Sequence, residues 1–211
     1  MAGPSAARPE GAPREHRDVS RVPRFVYGVA ATVALLVAGV GGLATDLGPW
    51  YRGLVQPPWK PPDLVFGPVW TLLYTLTAWA GARAWWFAGV RTAPGAALEG
   101  ASCLAHTTAA PEAMEAQRLR HLLLRGFLVN AVLNVAWSAL FFQAKRPDWA
   151  LLEIVLLTAS VIWLIATCAR ADRLASRLLW PYLVWVLFAA TVNAGVTRLN
   201  PLPAGSWGGV G

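Results

Sequence analysis

The chain has 211 residues, of which 56% are hydrophobic and only 14% are charged, and its formal net charge is +7. Ordinary soluble domains are about 45–50% apolar and about 25% charged, so this sequence lacks the charged surface that a soluble fold of its length needs. The 18 Lys and Arg residues lie between apolar runs and form no continuous stripe, which argues against a nucleic-acid-binding protein.

The chain begins with a basic segment, and apolar stretches follow it. Residues 1–24 are rich in Pro, Ala and Arg, which predicts a disordered tail because this composition cannot bury its backbone. Residues 25–200 form the predicted membrane domain, and residues 201–211 a flexible C-terminal tail. We place spans, each long enough to cross about 30 Å of hydrocarbon, at residues 25–44, 65–88, 121–143, 149–169 and 178–199. Since lipid offers the backbone no hydrogen-bond partners, the predicted fold is an all-α bundle of five transmembrane helices.

The first span carries small residues at every fourth position, namely Ala30, Ala34, Ala38 and Gly42. Such a ridge lets another helix approach closely. The partner helix could belong to the same chain or to a second copy.

The connection between the first two spans, residues 50–62 (WYRGLVQPPWKPP), contains four prolines. Proline restricts its own backbone and that of the preceding residue and disfavours helix, so we predict a stiff, shaped cap over the bundle. The alternative is an ordinary interfacial loop in which Trp50 and Trp59 anchor the chain among lipid headgroups.

Three spans carry stripes of aromatic, amide and small side chains at helical spacing. The stripes are Trp70, Tyr74, Thr77 and Gly81 in the second span, Asn130, Asn134, Trp137 and Phe141 in the third, and Tyr182, Trp185, Ala189 and Asn193 in the fifth. Converging stripes of this kind predict a cavity with flat aromatic walls and a few amide groups. In the alternative interpretation, the Asn residues only join helices by hydrogen bonds.

Basic residues fall mainly on one side when the connections are sorted by alternate crossings. The side of the N-terminal tail holds thirteen Arg residues, and the other side holds five Lys or Arg residues. The positive-inside rule therefore predicts a cytoplasmic N-terminus and an external C-terminus. Residues 91–117, which are small and polar and include Pro111, are expected to form a mobile loop.

No constellation for enzyme chemistry is visible in the spans, where Glu153 is the clearest acidic residue. Cys103 and Cys168 are far apart, and the three His residues lack metal-ligand spacing, so we expect neither a disulfide framework nor a metal site. No cofactor is required by any motif.

The sequence resembles the TspO/MBR family of tryptophan-rich sensory proteins, which includes the mitochondrial translocator protein. The resemblance rests on four ordered blocks: WYRGLVQPPWKPP, VFGPVWTLLY, LNVAWSALFF followed by KRP, and PYLVWVLFAATVN. It implies a five-helix bundle, usually a homodimer, whose pocket below the first loop binds porphyrins and other flat aromatic ligands. Family positions that touch ligand match Tyr51, Trp70, Asn134, Trp137, Trp185 and Ala189 here, and the stripes add Tyr74, Asn130, Tyr182 and Asn193 as candidate ligand-binding residues.

Three functions follow as expectations from this resemblance. The first is a membrane receptor or carrier for tetrapyrroles such as protoporphyrin. The second is light-dependent porphyrin degradation, for which the resemblance implicates Trp70 and Trp185, and the third is a stress-response scaffold that acts through protein contacts. The expected partners are porphyrin and membrane lipid.

The sequence also departs from the family pattern. Cholesterol binding is doubtful because no aromatic residue follows Asn193 closely. Asn130 stands where many relatives have Gln. Usage rich in Ala, Arg and Trp suits a bacterial plasma-membrane protein.

Overall fold

The computed structural model describes residues 22–90 and 104–201 of the chain. Within these ranges the helices are α1 (Arg24–Ala44), α2 (Pro49–Gly53), α3 (Asp63–Val90), α4 (Leu104–Ser138), α5 (Pro147–Ala171), α6 (Arg173–Leu178) and α7 (Trp180–Leu199). A π-helical turn, Ala139–Gln143, extends α4. Between α6 and α7 only Leu179 intervenes, and Pro181 at the start of α7 suits a helix beginning there.

In the part of the chain that the structure describes, five helical segments have the length and apolarity to cross a membrane. They are Arg24–Ala44, Asp63–Val90, Pro111–Gln143, Pro147–Ala171 and Arg173–Leu199. Each contains or closely overlaps one predicted span, so the all-α, five-span fold is confirmed and the protein is an integral membrane protein.

The predicted mobile loop at residues 91–117 is wrong for its second half, because α4 begins at Leu104. Ala, Glu and Gln, which favour helix, dominate the sequence around Pro111 and outweigh the single proline inside the helix. Two contacts hold this end of α4. Arg170 donates to Glu115 at 2.7 Å, and Arg120 donates to the Trp85 carbonyl at 3.2 Å. Residues 91–103, 1–21 and 202–211, where the rest of the loop and both predicted tails fall, lie outside the described residues.

The bundle core forms where α3, α4, α5 and α7 meet. Its most buried large side chains include Leu123, Leu164, Leu179 and Val186. Gly126 allows α4 to approach α5 closely, since a Cβ there would lie 2.1 Å from the Trp163 ring.

Helix α1 lies at the edge of this core and packs mainly on α3. Its other face is exposed and apolar, as expected for contact with lipid, and includes Leu35 and Leu43. The ridge residues Ala30, Ala34 and Ala38 are half-buried and line cavities between α1 and α3. The ridge therefore faces α3 of the same chain across these cavities, and its residues are not closely packed.

Loop one, residues 45–62, covers one end of the bundle. Apart from α2 it is not helical, and residues 54–62 follow the extended and turn conformations that the prolines predict. The opposite end of the bundle, which we call the arginine end, contains Arg83 at 2.6 Å from Asp172. Asp172 also caps α6 by accepting from the Ala175 N–H at 3.1 Å.

Candidate ligand-binding cavity

A cavity of about 800 Å³ lies under loop one, between α1, α3, α4 and α7. We call it the loop-one cavity. Its wall residues include Phe66, Trp70 and Tyr74 from α3; Asn134, Trp137 and Phe141 from α4 and the π-helical turn; Trp185, Ala189 and Asn193 from α7; and Tyr51, Gln56 and Lys60 from loop one. This size lies within the range of about 300–1,000 Å³ that is common for small-molecule sites.

Aromatic rings hold one another in place around this cavity. Trp70 stacks on Tyr74 with ring centroids 5.4 Å apart and planes 25° apart. Trp137 stacks on Phe141 at 5.3 Å and 28°. Trp185 meets Trp70 edge to face at 6.5 Å and 86°. These contacts orient the indole faces of Trp70, Trp137 and Trp185 before any ligand arrives.

A polar cluster closes the loop-one end. The Tyr51 hydroxyl donates to Asp63 at 2.7 Å, and Lys60 forms an ion pair with the same carboxylate. The Lys60 Nζ lies 5.4 Å from the centroid of the Tyr51 ring, within range of a cation–π interaction. Burial, together with the hydrogen bond to Asp63 and the negative charge of that carboxylate, raises the pKa of Tyr51 above its usual range. Tyr51 therefore stays neutral and keeps its donor at physiological pH.

The C-terminal part of α7 fastens loop one from outside. The Asn200 carboxamide accepts from the Val55 N–H and donates to the Val55 carbonyl, both at 2.9 Å, much as a neighbouring strand would. Gly195 gives the loop room to pack, because a Cβ there would lie 2.9 Å from Pro57 and 3.0 Å from Trp59.

A directional chain of hydrogen bonds runs through the middle of the bundle. Tyr74 donates to Asn134 at 2.7 Å, Asn134 donates to Tyr182 at 3.1 Å, and Tyr182 donates to Asn130 at 3.3 Å. Asn130 passes the chain to Ser160 on α5 at 2.8 Å. This chain joins α3, α4, α5 and α7 in a region where unsatisfied polar groups would be costly.

Eight of the ten predicted ligand-binding residues line the loop-one cavity: Tyr51, Trp70, Tyr74, Asn134, Trp137, Trp185, Ala189 and Asn193. Asn130 and Tyr182 do not. They are buried behind Asn134 and line a second cavity of about 460 Å³ between α1, α3 and α4. This second cavity, the α1 cavity, is lined in part by Phe25, Val29, Val33, Trp85 and Phe127.

The prediction from sequence missed several residues of the loop-one cavity. Phe66 lies four residues before Trp70, so an extension of the α3 stripe by one turn would have found it. Gln56, Lys60 and Asp63 lie in or next to the Pro-rich loop, where no periodic pattern marks a face.

The family model described as TspO/MBR family matches residues 29–199. The chain belongs to the TspO/MBR family. It is 32% identical over 152 residues to "Tryptophan-rich protein TspO" of Chlorobaculum tepidum, an alignment that covers 72% of this chain and 80% of that protein.

Two further relatives lie at the same level of similarity. "Translocator protein" of Homo sapiens is 32% identical over 151 residues, covering 72% of this chain and 75% of that protein. "Protein CrtK" of Rhodobacter capsulatus is 31% identical over 172 residues, covering 80% and 89%. Membership supports a role as a membrane receptor or sensor.

Asn193 of this TspO/MBR chain has partners of its own. With its amide oriented to satisfy both groups, it donates to the Pro147 carbonyl at 3.0 Å and accepts from the Leu151 N–H at 3.1 Å. The residue thus joins α7 to the first turn of α5. Its polar atoms are engaged in helix packing, and it contributes mainly shape to the cavity wall.

Two buried polar atoms of residues that line the loop-one cavity have no hydrogen-bond partner, the Trp185 Nε1–H and the Gln56 Oε1. Buried polar groups are usually paired, so these two atoms are an unused donor and an unused acceptor within residues of the cavity wall. Both oxygens of Glu153 also lack a partner, but Glu153 is not among the residues that line either cavity.

Proposed function

We propose that this protein is a membrane receptor or carrier that binds tetrapyrroles such as protoporphyrin, and other flat aromatic molecules, in the loop-one cavity. The observation that carries the proposal is the set of indole rings, Trp70, Trp137 and Trp185, which reach one cavity from three helices. A flat conjugated ring stacked on such faces gains about 0.5–1.5 kcal/mol per aromatic pair beyond area burial.

Polar groups at the cavity edge suit the rest of such a ligand. Asn134 could donate or accept at a pyrrole edge. Lys60, which lines the cavity from loop one and pairs with Asp63, could also pair with an acidic side chain of the pigment. Loop one, held by Tyr51 and by the Asn200–Val55 hydrogen bonds, would then act as a lid that opens for entry and release.

The first experiment is a titration of the purified full-length protein with protoporphyrin IX in darkness, followed by tryptophan emission. Binding should quench that emission. Trp137→Leu and Trp185→Leu should each weaken binding by about 1–3 kcal/mol, or roughly five- to a hundred-fold in Kd.

Trp180→Leu is the matched control, since Trp180 lies on the same helix as Trp185 but is 53% exposed and is not among the residues lining the cavities. It should bind like the wild type. Equal affinity of all four folded proteins would show that the tryptophans only hold helices together.

Light-dependent degradation of porphyrin is the second candidate, because Trp70 and Trp185 line the cavity and their rings lie 6.5 Å apart. The same complexes, illuminated in the presence of oxygen, would be examined by mass spectrometry. New pigment products that require light and both tryptophans would support this activity. If the pigment is unchanged, the protein binds porphyrin without degrading it.

A further inference from the structure

Three cavities meet at the side chain of Tyr74. It lines the loop-one cavity, the α1 cavity and a third space of about 620 Å³ between α1 and α3. Asn134, which accepts the Tyr74 hydrogen bond, also lines the first two. The loop-one cavity and the α1 cavity are thus neighbours along the bundle, and Tyr74 and Asn134 stand between them.

Tyr74 is held lightly for a residue in this position. Its hydroxyl makes one hydrogen bond, to Asn134 at 2.7 Å, and its ring makes one stacking contact, with Trp70. On the α1 side its hydroxyl lies beside Gly41, where an added Cβ would be in ordinary contact with it at 3.8 Å. The three cavities that Tyr74 lines border its side chain, and the ring can rotate into this space.

The α1 cavity opens sideways. Phe25, Val29 and Val33 of α1 line it and yet are 70%, 62% and 53% exposed. Exposed apolar residues of a membrane span face lipid. A molecule in the α1 cavity would thus border the hydrocarbon of the bilayer.

The walls of the α1 cavity suit the same class of molecule as the loop-one cavity. Aromatic rings from three helices line it, namely Phe25, Trp85 and Phe127, together with Tyr74. Its polar atoms, from Thr77, Asn130 and Asn134, lie toward the middle of the bundle. An aromatic ligand passing Tyr74 would meet flat faces on both sides.

We propose that the α1 cavity is a second site for the flat aromatic ligand, and that rotation of Tyr74 away from Asn134 joins the two cavities into one path. A ligand would enter under loop one, pass Tyr74 and leave sideways into the bilayer beside α1. This inference rests on the proposed function. It implies that one copy of the chain can carry the ligand from loop one to the bilayer.

The test measures release of protoporphyrin IX from the full-length protein in phosphatidylcholine vesicles to acceptor vesicles that contain no protein. The transfer is monitored in darkness by the fluorescence of the pigment. Ala30→Trp and Ala131→Trp each place a large ring in the α1 cavity, which both residues line. Each should slow release at least about fivefold. Tyr74→Phe, which removes the hydrogen bond to Asn134, should speed it severalfold.

Leu36→Trp is the matched control, because Leu36 is 64% exposed on the same helix as Ala30 and is not among the residues lining the cavities. It should release pigment at the wild-type rate. Thermal unfolding of each variant separates blocked release from misfolding, and only variants that are fully folded at the assay temperature are compared.

Tyr51→Ala, which weakens the hold on loop one, is measured beside these variants. If both blocking variants fold and release pigment at the wild-type rate, and only Tyr51→Ala changes that rate, the path is overturned and the binding proposal stays intact. Misfolding of both blocking variants shifts the decision to Tyr74→Phe, whose unchanged release would also overturn the path. Absence of protoporphyrin binding by the wild type would instead overturn the proposed function, and the path with it.

Discussion

At the scale of single residues, the side chains of the stripes have two roles, and Tyr74 and Asn134 take part in both. Trp70, Trp137 and Trp185 present surface to the loop-one cavity, whereas Asn130 and Tyr182 are buried in the hydrogen-bond chain behind it. The sequence predicts both groups as one set because spacing shows which face of a helix a residue occupies. It does not show which residues on that face find partners among themselves.

The Tyr182 hydroxyl makes two hydrogen bonds of that chain, so it should matter for stability. Tyr182→Phe would leave the Asn134 amide and the Asn130 oxygen without their partner. We expect a loss of at least about 1–3 kcal/mol in the free energy of unfolding, since each of the two buried polar groups left unpaired costs about that much. Thermal unfolding in detergent measures it.

Tyr74→Phe provides the comparison, because it removes only one partner, that of the Asn134 oxygen. It should lower the unfolding temperature less than Tyr182→Phe does. Equal unfolding temperatures for wild type and Tyr182→Phe would mean that water or a changed rotamer satisfies both amides.

At the scale of elements, the spans were predictable and their extensions were not. Apolar length identifies a membrane helix because the bilayer demands it, but α4 continues beyond the apolar stretch to Leu104. There helix propensity and contacts such as Glu115 with Arg170 decide the structure. A composition of small and polar residues suggests a loop equally well.

Loop one was predictable as non-helical from its prolines, but its attachment was not. Asn200 and Gly195 lie more than a hundred residues away in sequence, and only the folded chain brings them to Val55 and Pro57. These long-range contacts hold the Pro-rich connection over the loop-one cavity.

The attachment at Gly195 leads to an expectation about the lid. Gly195→Ala would place a methyl group 2.9 Å from Pro57, so the loop must shift outward. Overpacking of this kind costs about 1–3 kcal/mol, which would favour the open lid by roughly five- to a hundred-fold. Stopped-flow measurement should show faster release of protoporphyrin to an aqueous acceptor such as albumin.

Gly39→Ala is the control for this substitution, because nothing lies within 4 Å of a Cβ built at that position of α1. It should leave the release rate unchanged and stabilise the helix slightly. If Gly195→Ala released pigment no faster than Gly39→Ala, loop one would not be the barrier to exit.

The arginine end provides an expectation about pH. Burial raises the pKa of Asp172, but hydrogen bonds from Arg83 and the Ala175 N–H outweigh it and hold that pKa below its usual range. The ionised form therefore stabilises the fold above the unfolded-state pKa of about 3.9. That contribution is lost as the pH falls through the lower folded-state pKa.

Asp172→Asn should thus cost about 1–3 kcal/mol near pH 7, because it replaces a charge-assisted hydrogen bond with a neutral one. The difference in unfolding temperature between the variant and the wild type should become smaller below about pH 4. Glu112→Gln, on the exposed side of α4, should follow the wild type throughout. A gap that stays constant with pH would assign the loss to packing and not to charge.

At the scale of the whole molecule, the apolar composition of the spans and their lipid surroundings determine the fold class. The association of two copies into a homodimer is not determined in this way. The homodimer that the family resemblance implies stays a prediction, and so does its surface, since Ala30, Ala34 and Ala38 line cavities beside α1 and are only half-buried. Weak cholesterol binding likewise stays a prediction, based on the missing aromatic residue after Asn193.

The orientation of the molecule follows from the distribution of its charges over the two ends of the bundle. Arg83, Arg120 and Arg170 make their contacts at the arginine end. Lys60 and Arg146 lie at the opposite end of the bundle, which loop one covers. Thirteen basic residues against five favour a cytoplasmic arginine end, because Lys and Arg near the ends of spans resist translocation.

Fusions of alkaline phosphatase, which is active only after export, measure this orientation directly. Fusions after Lys60 and after Gly211 should be active, and a fusion after Ala171, at the arginine end, should be inactive. The opposite pattern would place loop one and its lid in the cytoplasm. The ligand would then enter from the cytoplasm and leave toward the outer leaflet, so the orientation decides the direction in which the proposed path could carry a pigment.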